Sequence, residues 1–169
     1  MTRWLWLGLL PLLAAGCASQ PTPAPRPVRQ PINLAVVREA LSLKGIAYRW
    51  GEESPQRGFD CSGLVQYVYG RHGIALPRTA YQMAMALPTL DSRQRQPGDL
   101  VFFNTTGQPY SHVGIYIGND HFVHASSARG QVVVSPLDAP YWTRHYLGLR
   151  RPLADGPVAP PLRIGRWIP

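Results

Sequence analysis

Residues 57–69 read Arg57-Gly58-Phe59-Asp60-Cys61-Ser62-Gly63-Leu64-Val65-Gln66-Tyr67-Val68-Tyr69. The first four are turn-like, and Leu64, Val65, Val68 and Tyr69 then recur with the spacing of one helix face. Asp60 is a good N-cap, because its carboxylate can accept from the unpaired amides of a first helical turn. That cap places Cys61 in the first turn, where free amides and the helix dipole favour thiolate over thiol. A free cysteine is often just a small buried hydrophobe, but the turn and the cap argue for an activated sulfur, a candidate nucleophile.

Around this helix the chain has room for one ordinary domain: 169 residues and 18.8 kDa. An apolar content of 45% excludes disorder along the whole length. Two cysteines exclude a disulfide-rich scaffold or a four-cysteine zinc module. Of 18 prolines, one is Pro11, five fall in residues 18–31 and five in 152–169, leaving seven for the 120 residues between. The expected organisation is a signal over 1–16, a linker over 17–31, a folded domain over 32–151 and a proline-rich basic tail over 152–169.

The N-terminus carries Arg3, a short apolar run from Trp4 and then Ala14-Ala15-Gly16-Cys17. A charged start, an apolar middle and small residues before a break describe an export signal. The apolar run is too short for the roughly 18 to 20 residues of a spanning helix. Small residues ahead of a cysteine resemble the lipobox of bacterial lipoproteins, although Ala14 stands where Leu is usual. The resemblance implies that Cys17 is lipidated and anchors the chain to a membrane. No Asp follows Cys17, which implies a periplasmic address on the inner leaflet of the outer membrane. The proline-rich spacer, at about 3.1 Å per residue, reaches up to about 40 Å from such an anchor. A net charge of +8 suits anionic surfaces, while export argues against nucleic acid as a partner.

With Cys17 acylated, Cys61 has no partner in the chain, and a lone exported thiol calls for a chemical reason. Thiolate chemistry needs a base and something to orient it. His72 follows the Cys61 helix, where a cation favours the carbonyl end, and reads as structural. His112, His121 and His124 lie in two β-rich runs flanking Gly118-Asn119-Asp120, a hairpin signature. Register decides which of them meet. A two-residue loop at Asn119-Asp120 would pair Ile115 with His124 and send His112 to the other face. A three-residue loop over 118–120 pairs Gly114 with His124, so that His112 and His124 become diagonal neighbours and His121 points away. A Cys-His-His arrangement therefore requires an odd loop count.

Six blocks in order resemble the NlpC family of bacterial cell-wall cysteine peptidases: Tyr48-Arg49-Trp50-Gly51, Phe59 to Val65, Leu76-Pro77-Arg78-Thr79, Pro97 to Phe103, His112 to Gly118, and Phe122-Val123-His124-Ala125. The resemblance implies an α+β, compact papain-like domain. Its N-terminal helices would carry the nucleophile at a helix start, packed on an antiparallel sheet. It implies Cys61 as nucleophile, His112 as base and His124 as the residue that orients His112. Tyr48, Asp60 and Ser62 match positions near the substrate and oxyanion. Glu52 departs from the family's usual second glycine, and Glu53 adds a second acid. The implied substrate is the stem peptide of peptidoglycan, cut without cofactor or metal by a monomer. The D-alanine–meso-diaminopimelate cross-link is the favoured bond, and the γ-D-glutamyl–diaminopimelate bond is the alternative. The arrangement looks closest to the lipid-anchored murein endopeptidases of Gram-negative bacteria.

Elsewhere, Asn33 is expected to cap a helix over 34–41 with Leu34, Val37 and Leu41 on its buried face, and Thr79 to start a helix over 80–87 in which Met83 and Met85 pack. Strands are expected at 100–103, 112–117, 121–125, 132–135 and 146–150. Helices first and strands later indicate an α+β domain. Asp99, after Pro97-Gly98, reads as a turn residue. Two other readings are a non-catalytic wall-binding lipoprotein and a zinc site formed by Cys61, His112, His121 and His124. The hairpin geometry disfavours the zinc site by sending His121 and His124 to opposite faces.

Overall fold

A computed structural model of the chain describes residues 32–152. The signal, Cys17, the linker and the tail beyond Pro152 lie outside the described residues. The chain begins with α1 (Ile32–Ser42), a small ladder of β1 (Glu53–Ser54) and β2 (Gly58–Phe59), then α2 (Cys61–Arg71) and α3 (Ala80–Ala86). Strands follow: β3 (Thr89–Leu90), β4 (Leu100–Phe103), β5 (His112–Gly118), β6 (His121–Ser126) and β7 (Gln131–Pro136). A short α4 (Pro140–His145) precedes β8 (Tyr146–Arg150). The six longer-range strands form one antiparallel sheet in the order β3-β8-β4-β5-β6-β7.

The helix predicted around Cys61 forms as its spacing requires, with Leu64, Val65, Val68 and Tyr69 all buried. They pack with Leu100, Phe102, Val113, Ile115, Val123 and Ala125 in the main core. Each such fully buried side chain contributes about 1.5–3 kcal/mol relative to an exposed one. The alternate residues Val101, Phe103, Tyr116, Phe122 and Leu149 build a second cluster, packed on by Trp142 and Tyr146. The sheet is thus buried on both faces, by α2 on one and by Trp142 of α4 on the other.

Three local expectations are corrected. α1 starts at Ile32, so Asn33 lies inside the helix and does not cap it. The buried face of α1 is rotated towards Val36, Val37, Ala40 and Leu43, which leaves Leu34 53% exposed. In α3, Met83 is buried as expected, but Met85 points to solvent, because a seven-residue helix has only one packed face. Thr79 does open α3, through a reciprocal capping box with Gln82.

The β5–β6 connection resolves the register question unexpectedly. Asn119 and Asp120 both have positive φ (48° and 53°), and Gly118 pairs with His121, so the loop has two residues and the geometry of a mirror-image turn. Beyond it, however, Tyr116 pairs with Phe122 and Ile115 with Val123. Ile117 is an extra residue, a bulge that restores the pairing expected of a three-residue loop. The odd loop count expected of a Cys-His-His arrangement is not met, but the two-residue loop and one bulged residue together give the register that arrangement needs.

Candidate active site

Cys61 opens α2 and is half-buried; its thiol is free. Asp60 caps the helix by accepting from the Gly63 amide at 2.6 Å, and its other oxygen accepts from the Gly51 amide at 3.0 Å. The same carboxylate thus ties the helix start to the 48–51 loop. Gly63 is required here, since a Cβ would overlap the Glu52 carbonyl. Ser62 donates to Asp60 at 3.2 Å. Arg78 grips both Asp60 oxygens, at 3.1 and 2.7 Å, donates to Ser62 at 3.0 Å and pairs with Glu53 at 3.1 Å. Burial alone would raise the Asp60 carboxyl, but Arg78 and the Gly63 and Gly51 amides outweigh it and hold it below the usual carboxylate range. Asp60 and Ser62, both buried, therefore form the scaffold beneath the thiol. Arg78 completes that scaffold. Glu52 turns to Arg57, at 2.6 Å, and its carbonyl receives the Asp60 amide.

The electrostatics of the sulfur differ from the helix-dipole expectation. Burial, followed by the negative charge of Asp60, pushes the Cys61 thiol up to about 11; the amides of Val113, Ser62 and Cys61 itself pull the other way without prevailing. Desolvation of a thiolate costs more than the first turn of α2 returns. At neutral pH the resting sulfur is a thiol. Its contact with the Val113 amide brings the head of α2 to the start of β5, one residue from His112.

His112 and His124 meet as the register requires. Nε2 of His112 lies 2.8 Å from Nδ1 of His124, with the rings perpendicular. Burial pushes His112 down to about 4; burial and then the proximity of His112 push His124 down to about 2. Both imidazoles are neutral at physiological pH. Trp142 from α4 stacks on His112 and stands edge-on to His124, with ring centroids 5.6 and 4.9 Å away. The far nitrogen of His124, Nε2, lies 3.0 Å from the Ser135 hydroxyl on β7. Sequence reasoning missed Trp142 and Ser135. Pro140 after Asp138-Ala139 is a helix-start signal that could have located α4. Nothing local marks Ser135, which reaches His124 only through the β6–β7 register.

The other candidates separate. Tyr48 is half-buried near the thiol, and its phenol is raised by burial, then by Cys61 and Asp60, so its hydroxyl stays a donor. His121 is exposed and donates to the Asn119 carbonyl at 2.6 Å, away from the pair. His72 ends α2 as its C-cap. Asp99 accepts from the Gln96 amide at 2.7 Å and pairs with Arg151 at 2.7 Å, the turn role expected of it.

The model of the NlpC/P60 family matches residues 45–151, which span the thiol, both imidazoles and the whole sheet. The chain belongs to the NlpC/P60 family. Murein DD-endopeptidase MepH of Escherichia coli (strain K12) is 44% identical over 127 residues, 72% of this chain and 46% of the relative. "Probable endopeptidase NlpC" of the same strain is 37% identical over 155 residues, 88% of this chain and 99% of the relative. Several other curated relatives are longer, so that the chain spans only about a third to two thirds of their length. A solved NLP/P60-family protein similar to lipoprotein from Staphylococcus aureus (subsp. aureus Mu50) shares the fold with a TM-score of 0.67. It is 34% identical, and the match covers 79% of this chain and 45% of that one. This NlpC/P60 domain is the α+β arrangement of helices on an antiparallel sheet read from the sequence.

Proposed function

We propose that this domain is a cysteine peptidase that hydrolyses peptide bonds in peptidoglycan. The observation that carries the reading is the 2.8 Å bond between His112 and His124, with the Cys61 thiol meeting the amide of Val113, the residue after His112. A binding module has no need of a free thiol at the amide that follows His112, whose imidazole is bonded to a second neutral imidazole. Family membership and the likeness to MepH support murein as the substrate. The D-alanine–meso-diaminopimelate cross-link is the proposed bond, with the γ-D-glutamyl–diaminopimelate bond the alternative. The proposed setting is periplasmic, with the domain tethered to the outer membrane through lipidated Cys17.

The neutral resting pair shapes the chemistry. His112, hydrogen-bonded to His124 through Nε2, has Nδ1 left to take the thiol proton as sulfur attacks the carbonyl carbon. The C–S bond forms and the carbonyl oxygen becomes an oxyanion, for which the Cys61 amide and the Tyr48 hydroxyl are the proposed donors. Protonated His112 then gives its proton to the departing amine as the C–N bond breaks. Water, deprotonated by His112, cleaves the thioester, releases the carboxylic acid and restores the thiol. His124 accepts the Nε2 proton of His112 throughout, which fixes the tautomer that keeps Nδ1 available.

Digestion of purified murein by the wild-type chain and by Cys61→Ser, read by mass spectrometry of the muropeptides, tests the proposal. Loss of product with the variant supports it, and the mass of the wild-type products identifies the bond. Undiminished turnover by Cys61→Ser overturns it.

A further inference from the structure

The bond from His124 to Ser135 extends the pair to a chain of three: His112 Nε2 to His124 Nδ1 at 2.8 Å, and His124 Nε2 to Ser135 Oγ at 3.0 Å. Each imidazole is neutral and carries one proton, so the chain has only two self-consistent directions. In the first, His112 donates to His124 and His124 donates to Ser135, leaving Nδ1 of His112 with a free lone pair. In the second, Ser135 donates to His124 and His124 donates to His112, which puts the remaining proton of His112 on Nδ1. Only the first direction leaves a base that can take the thiol proton.

We infer that Ser135 is a positioning residue whose hydroxyl accepts from His124 and so sets the tautomer of both histidines in the direction that activates Cys61. This deepens the peptidase reading and rests on it. The placement is specific. His124 is 1% exposed, so in the intact chain Ser135, not solvent, is the partner of Nε2. Phe122, stacked on His124 at 4.8 Å, and Trp142, edge-on at 4.9 Å, hold the ring so that Nε2 meets β7 at Ser135. Ser135 itself pairs opposite Phe122 in the sheet, a position fixed by six consecutive β6–β7 partners. Ser135 is only half-buried, so its own O–H can donate to solvent while a lone pair faces His124.

The test compares the full chain with Ser135→Ala, Ser135→Thr and Ser135→Cys. Leaving a buried nitrogen unpaired should lower kcat about 5- to 150-fold with KM little changed. Ser135→Thr, which keeps the hydroxyl, should restore turnover to within about threefold. Ser135→Cys keeps the size but accepts weakly and should behave like Ser135→Ala; this pair carries the test if Ser135→Ala does not fold. Nitrogen-15 NMR of the imidazoles supplies a readout that a structural role would not move. His112 and His124 should both carry their protons on Nε2 in the wild-type chain and in Ser135→Thr, and lose that uniform assignment in Ser135→Ala or Ser135→Cys. Wild-type tautomers and kcat in those two variants overturn the inference. With Cys61→Ser inactive, that result rejects the role of Ser135 alone; an active Cys61→Ser rejects the peptidase reading, and the tautomers still decide the direction of the chain.

Discussion

Gly114 sits where the fold and the site share a constraint, and Gly114→Ala makes that constraint measurable. Its backbone needs no glycine-only conformation, so the effect is one of space. A Cβ there would stand 2.6 Å from the Phe122 ring, 2.9 Å from the Val123 carbonyl and 3.2 Å from Cβ of His124. Phe122 is fully buried and the carbonyl belongs to β6, so neither contact is relieved by a side-chain rotation. Restoring an ordinary separation from Phe122 requires β5 and β6 to part by about 0.8 Å. Carried to the imidazoles, which flank Gly114, that displacement stretches the 2.8 Å His112–His124 bond to about 3.6 Å, too long for a hydrogen bond. Overpacking of this kind costs about 1–3 kcal/mol, a fall in Tm of roughly 3 to 15 °C for a domain of this size. Loss of the oriented base costs roughly 10²- to 10⁴-fold in turnover. Gly70→Ala is the control: Gly70 is an exposed helical glycine, and a Cβ there has nothing within 4 Å. It should leave turnover intact and raise stability by about 0.5–1 kcal/mol. Thermal melts and murein digestion of the two variants decide the matter. A Gly114→Ala chain that melts and digests like wild type would show that the strands do not constrain the pair.

Other consequences follow from the electrostatics. The pKa values of His112 and His124 lie below the ordinary 6.5, at about 4 and about 2, so the unfolded chain binds protons that the native state excludes. Stability should accordingly be full above about pH 6.5 and fall as pH drops towards 4, in urea titrations across that range. For the same reason the acid limb of turnover should lie near pH 4, well below the fall near neutrality that an unperturbed histidine would give; a midpoint near 6.5 would contradict the burial argument. The Cys61 thiol, pushed up to about 11, should react with iodoacetamide at a rate that keeps rising through pH 9; a plateau at neutrality would mean a resting thiolate. Asp60, held below its usual range against its own burial, stabilises the fold above the unfolded carboxylate value of about 3.9 and loses that contribution as pH falls through its native value. Arg78→Met should therefore lower stability at pH 7 and flatten its decline below pH 4, as read by denaturant midpoints.

Sequence determined the fold and the site to different depths, and the β5–β6 hairpin shows where the boundary falls. Helix α2 was legible because cap, period and apolar face are all local to Asp60 and the eleven residues after it. The exposure of Leu34 is not legible locally, because α1 has two candidate faces, and its partners in α2 and the sheet, not its own period, choose between them. The charge state of Cys61 departs from the local expectation because the helix dipole is local, whereas the desolvation that overrides it depends on elements far along the chain. Ser135 and Trp142 were invisible for the same reason: they reach the histidines through β7 and a six-residue helix with no side-chain cap. The histidine pair itself was found through parity. Side chains alternate along a strand, so His112 and His124 can share a face only if an odd number of residues separates the paired positions. The chain meets that demand with a two-residue turn whose positive φ values Asn119 and Asp120 tolerate, plus one bulged residue at Ile117. Deleting Ile115, a paired residue beyond the bulge, should therefore retain the turn, slip the β5 residues before it by one position and move His112 off the face of His124. Turnover would vanish, and a second deletion in β5 that restored the alternation should recover the imidazole bond. Parity, and not the length of the loop, is what the site requires.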